Sequence, residues 1–134
     1  MADELDWPLL EDQIVDHLTA ATGFAWRVTR DGEGLPAKAG GVRVSMSGES
    51  DVDRSYDVEL TVVAATRSGM WQLTGKTDRV MRRLDFLSRS YVDEVVTVFG
   101  WAPEDPGPTG LASGTATYRL TVRRQPEPMI DQVL

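Results

Sequence analysis

The chain has 134 residues, 41% of them hydrophobic and 26% charged, enough for one domain with its own core and too apolar for wholesale disorder. It has no cysteine, which excludes a disulfide framework, a thiol nucleophile and a cysteine-ligated metal site. Its net charge of −7 argues against specific nucleic-acid binding and against adhesion to an anionic membrane, since both rest on bases that neutralise phosphates.

Residues 7–22 are expected to form an amphipathic helix. Trp7, Leu10, Ile14, Leu18 and Ala21 recur at three- and four-residue steps and form one apolar stripe. Asp6 is placed to cap its start, Pro8 is tolerated in the first turn, and Gly23 is a natural stop. Asp12 and Asp16 point away from the stripe, one turn apart.

From Phe24 the period becomes two. Phe24, Trp26 and Val28 alternate with polar or small neighbours as a half-buried strand. Asp31–Gly41 is rich in glycine and reads as a loop, followed by a short strand through Val42, Val44 and Met46. An acidic turn at Gly48–Asp53 leads to a third strand marked by Tyr56, Val58, Leu60 and Val62. A second helix is expected from Met70 or Gln72 to about Ser88, with Leu73, Val80, Leu84 and Leu87 on its buried stripe and Thr77 and Met81 beside them.

Residues 91–101 read as a fourth strand. Ala102–Ala112, with three prolines and two glycines, reads as irregular. A fifth strand spans about Gly114–Arg124, with Ala116, Tyr118, Leu120 and Val122 on one side. The order α-β-β-β-α-β-β predicts an α+β domain over residues 1–124, and residues 125–134 are expected to form an extended C-terminal tail. The expected sheet has about five mostly antiparallel strands, with both helices on one face. The longest apolar run, Val62–Ala65, falls far short of the ~18 residues of a membrane span. The acidic N-terminus resembles neither a secretory signal nor a transit peptide, so a cytoplasm-like compartment is expected.

No constellation of catalytic residues emerges. Gly75-Lys76-Thr77 resembles the end of a phosphate-binding loop, but the required earlier glycine is replaced by Met70 and the context is helical. Glu49, Asp51 and Asp53 lack the calcium-loop pattern and read as a solvated turn. His17, the single histidine, has no cysteine to complete a zinc site and no nucleophile-elbow sequence to accompany it. Acids are plentiful, yet nothing marks a pair in a cleft. No enzymatic activity, cofactor or metal is expected.

Charge, by contrast, is sorted by segment. Residues 1–23 carry Asp3, Glu4, Asp6, Glu11, Asp12 and Asp16 and no Lys or Arg. Residues 67–90 carry Arg67, Lys76, Arg79, Arg82, Arg83 and Arg89 against Asp78 and Asp85. Acids near a helix N-terminus are favoured by the macrodipole, which accounts for most of the first block. Asp12 and Asp16, like charges at i and i+4, are not fully explained that way. Lys76 and Arg79 precede the last turn, so the dipole does not explain them either. Solvated faces or a contact between subunits would each account for the remainder. Trp71 opens the second helix and Trp101 ends the fourth strand, positions that suit either a lid on the core or an interface.

Over about residues 5–124 the chain resembles the tail terminator (tail completion) proteins of long-tailed bacteriophages. The resemblance rests on the acidic first helix LEDQIVDHLTAATG, the strands VRVSM and RSYDVELTVVAAT, the helix LTGKTDRVMRRLDFL and the closing strand TATYRLTVRRQ. It implies a structural virion protein that forms a six-membered ring, caps the tail tube, stops its polymerisation and meets the head connector. Its place would be the head-proximal end of the tail, after assembly in the host cytoplasm. The loops 31–41 and 102–112 would border the ring. The absence of Asn and the excess of Arg over Lys and of Val over Ile fit a GC-rich genome. Asp12 and Asp16 of one subunit are then expected to approach Arg79, Arg82 and Arg83 of the next, with Trp101 as a further interface candidate. Another head–tail connector or minor tail protein, or a small cellular α+β domain that binds a ligand or partner, would share these features.

Overall fold

Ile14, Leu18 and Thr22 fall at four-residue steps, and in the computed structural model of the protein they form the buried face of helix α1 (Leu10–Thr22). The structure describes residues 10–29, 34–51, 53–83, 92–104 and 110–123. Trp7, Asp6 and Pro8 lie outside the described residues, as do Leu84, Leu87, residues 105–109 of the 102–112 stretch and the tail from 125. Ala21, expected on the stripe, is exposed, and Thr22 takes its place. Thr22 is buried because its hydroxyl is satisfied twice. It donates to the Leu18 carbonyl at 2.5 Å and accepts from the Trp26 indole at 2.9 Å. Gly23, at φ 81°, then ends the helix in the left-handed conformation that glycine adopts without strain.

Five strands follow: β1 (Ala25–Val28), β2 (Ala39–Glu49), β3 (Asp53–Ala64), β4 (Val92–Pro103) and β5 (Ala112–Arg123). They form one sheet in the order β1-β2-β3-β5-β4. Every pair is antiparallel except β1–β2, which is parallel and aligns Ala25–Val28 with Ala39–Val42. The architecture is α+β with a mixed, mostly antiparallel sheet.

Strand β2 starts three residues earlier than the alternation at Val42 suggests, and Gly40 and Gly41 belong to it rather than to a loop. The indole of Trp26 lies on Gly40, where a Cβ would fall among its ring carbons. At Gly41 a Cβ would stand 2.8 Å from the Thr29 hydroxyl. These glycines are packing residues of the β1–β2 pair. Strands β4 and β5 likewise run into the stretch expected to be irregular, pairing Ala102 with Thr115 and Pro103 with Gly114. Pro103 is tolerated because β4 is an edge strand.

Helix α2 (Arg67–Met81) begins three residues before the expected Met70. Thr66 caps it, accepting from the Gly69 amide at 3.0 Å, which typically contributes about 1 kcal/mol. Its buried residues are Met70, Thr74, Thr77 and Met81, while Leu73 and Val80, expected at the centre of the stripe, are half-buried flanks. Thr74 and Thr77 survive burial by donating to the Trp71 and Leu73 carbonyls at 3.1 and 2.8 Å.

Both helices cover the sheet face that carries Val42, Val58, Leu60, Val62, Ala116, Tyr118, Leu120 and Val122. Helix α1 contacts β1 and β2, and α2 contacts β3 and β5. The opposite face is polar, with a cross-strand ion pair from Arg119 to Asp57 at 2.8 Å that holds the Asp57 carboxyl below the usual range.

Gly75 sits inside α2, where a Cβ would meet nothing within 4 Å. Glycine in a helix interior costs about 1 kcal/mol relative to alanine. Gly75→Ala is therefore expected to raise unfolding stability by about 1 kcal/mol, whereas Gly40→Ala is expected to lower it by about 1–3 kcal/mol by displacing Trp26. Urea denaturation of the two variants checks both signs.

Candidate assembly surface

Asp78 of α2 fixes which flank of that helix looks toward β4. Its Oδ1 accepts from the Tyr118 hydroxyl of β5 at 2.6 Å, and that hydroxyl accepts from the Trp101 indole of β4 at 2.9 Å. Its Oδ2 accepts from Arg82 Nε at 2.7 Å. Trp71, Gly75 and Arg82 stand seven before, three before and four after Asp78, so all share its β4-side flank. Arg79 and Arg83 are exposed on the outward side of the same helix end.

Helix α1 is oriented by an equivalent pair of contacts at the other edge. Trp26 of β1 donates its amide to the Thr19 hydroxyl at 3.3 Å and its indole to Thr22. Asp12 and Asp16, seven and three residues before Thr19, share its stripe and lie on the β1 side, both exposed.

The expected interface residues thus divide between opposite edges of the sheet. Asp12 and Asp16 stand over the β1 edge; Arg79, Arg82 and Arg83 stand at the C-terminal end of α2, over β3 and β5, Arg82 on the flank toward β4 and the other two on the outward side. Arg82 departs from its expected role in one respect, because its guanidinium is already paired with Asp78. Trp101 is half-buried and packed on the core, so its indole acts first as a strut between β4 and β5.

The apolar residues left in water divide in the same way. Among the described residues the exposed large hydrophobics are Val28, Met46, Trp71, Val96 and Phe99. Val28 lies on edge strand β1, and Met46 on the part of β2 beyond its pairing with β1. Val96 and Phe99, the latter 69% exposed, lie on edge strand β4, and Trp71 on the α2 flank above it. Sequence reasoning missed Phe99, Val96 and Met46; their signal is an apolar residue on the polar phase of an edge strand or at a strand's far end.

Other chemistry finds little footing. Gly75-Lys76-Thr77 lies within α2, and Glu49, expected in the acidic turn, ends strand β2 and pairs with Arg54 at 2.6 Å. Among the described residues no group of three His, Cys, Asp or Glu could hold a metal ion, and no helix is long and apolar enough to cross a membrane. A depression of about 250 Å³ beside the α2 N-terminus is lined by Ala37, Lys38, Ala64, Ala65, Thr66, Gly69, Gln72 and Leu73. Its side chains are mostly small, and Thr66, its hydroxyl-bearing residue, is engaged in capping.

No protein-family model matches the chain, and no curated protein sequence matches it.

Burial and the Asp78 carboxylate hold the Tyr118 hydroxyl protonated far above the usual phenol range. A raised pKa means that the folded state keeps a proton the unfolded chain loses near pH 10, so this contribution is complete below that pH and declines above it. Tyr118→Phe is expected to cost about 1–3 kcal/mol at neutral pH, by stripping Asp78 and Trp101 of their shared partner. It should also flatten the loss of stability above pH 10, read from denaturation midpoints at pH 7 and 10.5.

Proposed function

We propose that the protein is a structural assembly subunit of a phage tail, of the tail terminator type: copies close into a six-membered ring that caps the tail tube, stops its polymerisation and joins the tail to the head connector. What supports the reading is the division of charge and apolar surface between opposite edges of one sheet. The β1 side offers Asp12, Asp16, Val28 and Met46. The other side offers Arg79 and Arg83 at the outward end of α2 and Trp71, Val96 and Phe99 at the β4 edge. Complementary patches on opposite sides of a subunit cannot meet within one chain, and a head-to-tail contact between copies closes into a ring when its rotation divides a full turn.

The charges steer encounter and fix register, while the apolar residues supply most of the affinity. No residue is assigned a catalytic role and no cofactor is invoked. The position at the head-proximal end of the tail, with the tube protein and head connector as partners, comes from the resemblance to tail terminators.

Purified protein is expected to bind the ends of preformed tail tubes and arrest their growth, seen as capped tubes of fixed length by negative-stain imaging. Replacing Arg79 and Arg83 by Glu is expected to weaken capping and ring formation roughly tenfold or more, with the fold unchanged by circular dichroism. Tubes that elongate freely in saturating protein would end the tail-terminator reading.

A further inference from the structure

Gly75 is unexplained by the subunit's own packing. It stands in a helix interior, the least favourable place for glycine, and a Cβ there would meet nothing. It also interrupts a row of exposed large side chains at four-residue steps, Trp71 and Arg79 on α2 and Arg83 just past its C-cap. The row is therefore a notch between an indole and two guanidinium groups.

Helix α1 carries a row with the same spacing. Asp12, Asp16 and Ala20 are exposed at four-residue steps, and the helix stops at Gly23. Laid antiparallel on α2, the two rows coincide over three positions: Asp12 meets Arg83, just past the end of α2, Asp16 meets Arg79, and Ala20 meets Gly75. A parallel arrangement also brings acids to bases, with Asp12 at Arg79 and Asp16 at Arg83, but seats no residue of α1 on Gly75. Small residues facing each other at a helix crossing let the two backbones approach closely, because interaxial distance follows the side chains at the contact.

We infer that the α2 notch is the docking site for α1 of a second copy of this chain, antiparallel, with Ala20 seated on Gly75 and Asp16 paired with Arg79. This rests on the reading of the chain as an assembling subunit and assigns that assembly its contact and register. The occupant follows from charge complementarity: α2 presents bases, and the acid row that matches their spacing belongs to α1, which looks out over the opposite edge of the sheet. The notch accounts for a glycine that weakens its own helix, because the residue serves the contact between copies.

The absence of cysteine makes register directly measurable. Asp16→Cys and Arg79→Cys are made as separate full-length variants, mixed and mildly oxidised. They are expected to form the mixed disulfide at least about fivefold faster than Asp16→Cys mixed with Arg67→Cys, three turns away on the same helix. Gly75→Ala is expected to weaken self-association several-fold while the unfolding midpoint rises, a combination that a purely structural glycine would not give. Arg79→Glu is expected to weaken association about tenfold, and Asp16→Arg in the same chain to restore it to within about threefold.

Equal cross-linking in both mixtures, or charge reversal without rescue, would overturn the notch. If rings still form in that case, the assembly reading stands without it. A chain that stays monomeric at high concentration and on tail tubes removes both. Efficient cross-linking of Arg79→Cys to a cysteine placed in residues 1–9 or 125–134 of the same chain would assign the notch to the chain's own terminus and likewise overturn the proposal.

Discussion

The side chain of Asp78 decides what this molecule shows to its surroundings. It is the acceptor at which β5, through Tyr118, and α2, through Arg82, converge, and Tyr118 in turn holds the indole of Trp101 from β4. Three consecutive elements, α2, β4 and β5, are thereby locked in one arrangement. The rotation of α2 about its axis is part of that arrangement. With Asp78 turned toward β5, Met70, Thr74, Thr77 and Met81 must face the sheet, and Trp71, Gly75 and Arg82 must overhang the β4 edge. A rotation by one residue would bury a guanidinium and expose a methionine. The location of the basic surface is thus a consequence of one carboxylate satisfied by partners on two sides.

A comparable constraint acts at the other edge. Trp26 is buried with its indole donating to Thr22 and its ring resting on Gly40. Four residues of β1 would be a weak strand alone, but the indole ties them to α1 and to β2 at once. The same tie sets the rotation of α1, and with it the direction of Asp12 and Asp16. Each helix is oriented by an aromatic residue on or next to an edge strand. This explains how two neighbouring helices on one sheet face come to present their charges beyond opposite edges.

Much of this was legible in the chain. Period-two alternation identifies β3 and β5 because their apolar residues face a single covered side, and helical spacing identifies α1. Other features left no local trace. The run Gly40-Gly41 reads as a turn, and only Trp26, fourteen positions earlier, explains why glycine is needed there. The parallel pairing of β1 with β2 is set by the return of the chain between them, not by residue pattern. In α2 the phase is disguised because two of its buried residues are threonines whose hydroxyls bond to the preceding turn, so Leu73 and Val80 draw the stripe off its true centre. The candidate surface was legible as charge blocks and not as geometry. Which flank each charge occupies depends on Asp78 meeting Tyr118 forty positions away, and Arg82 could not be recognised as already paired.

The net charge of −7 gives the proposed contact its selectivity. Copies of an acidic subunit repel one another in most orientations, more strongly at low ionic strength, where the screening length grows. The C-terminal end of α2 is where that repulsion reverses, because Lys76, Arg79 and Arg83 are exposed there. In the proposed contact a copy would be drawn in only when it leads with its own acids, and Asp12 and Asp16 are its exposed pair at matching spacing. Repulsion elsewhere thus does as much to select the head-to-tail orientation as attraction at the notch, a form of discrimination that strengthening the contact alone would not supply. It also separates orientation from affinity. In the proposed assembly charge would choose the approach, and burial of Trp71, Phe99 and Val96 against a neighbouring copy would hold the subunits together.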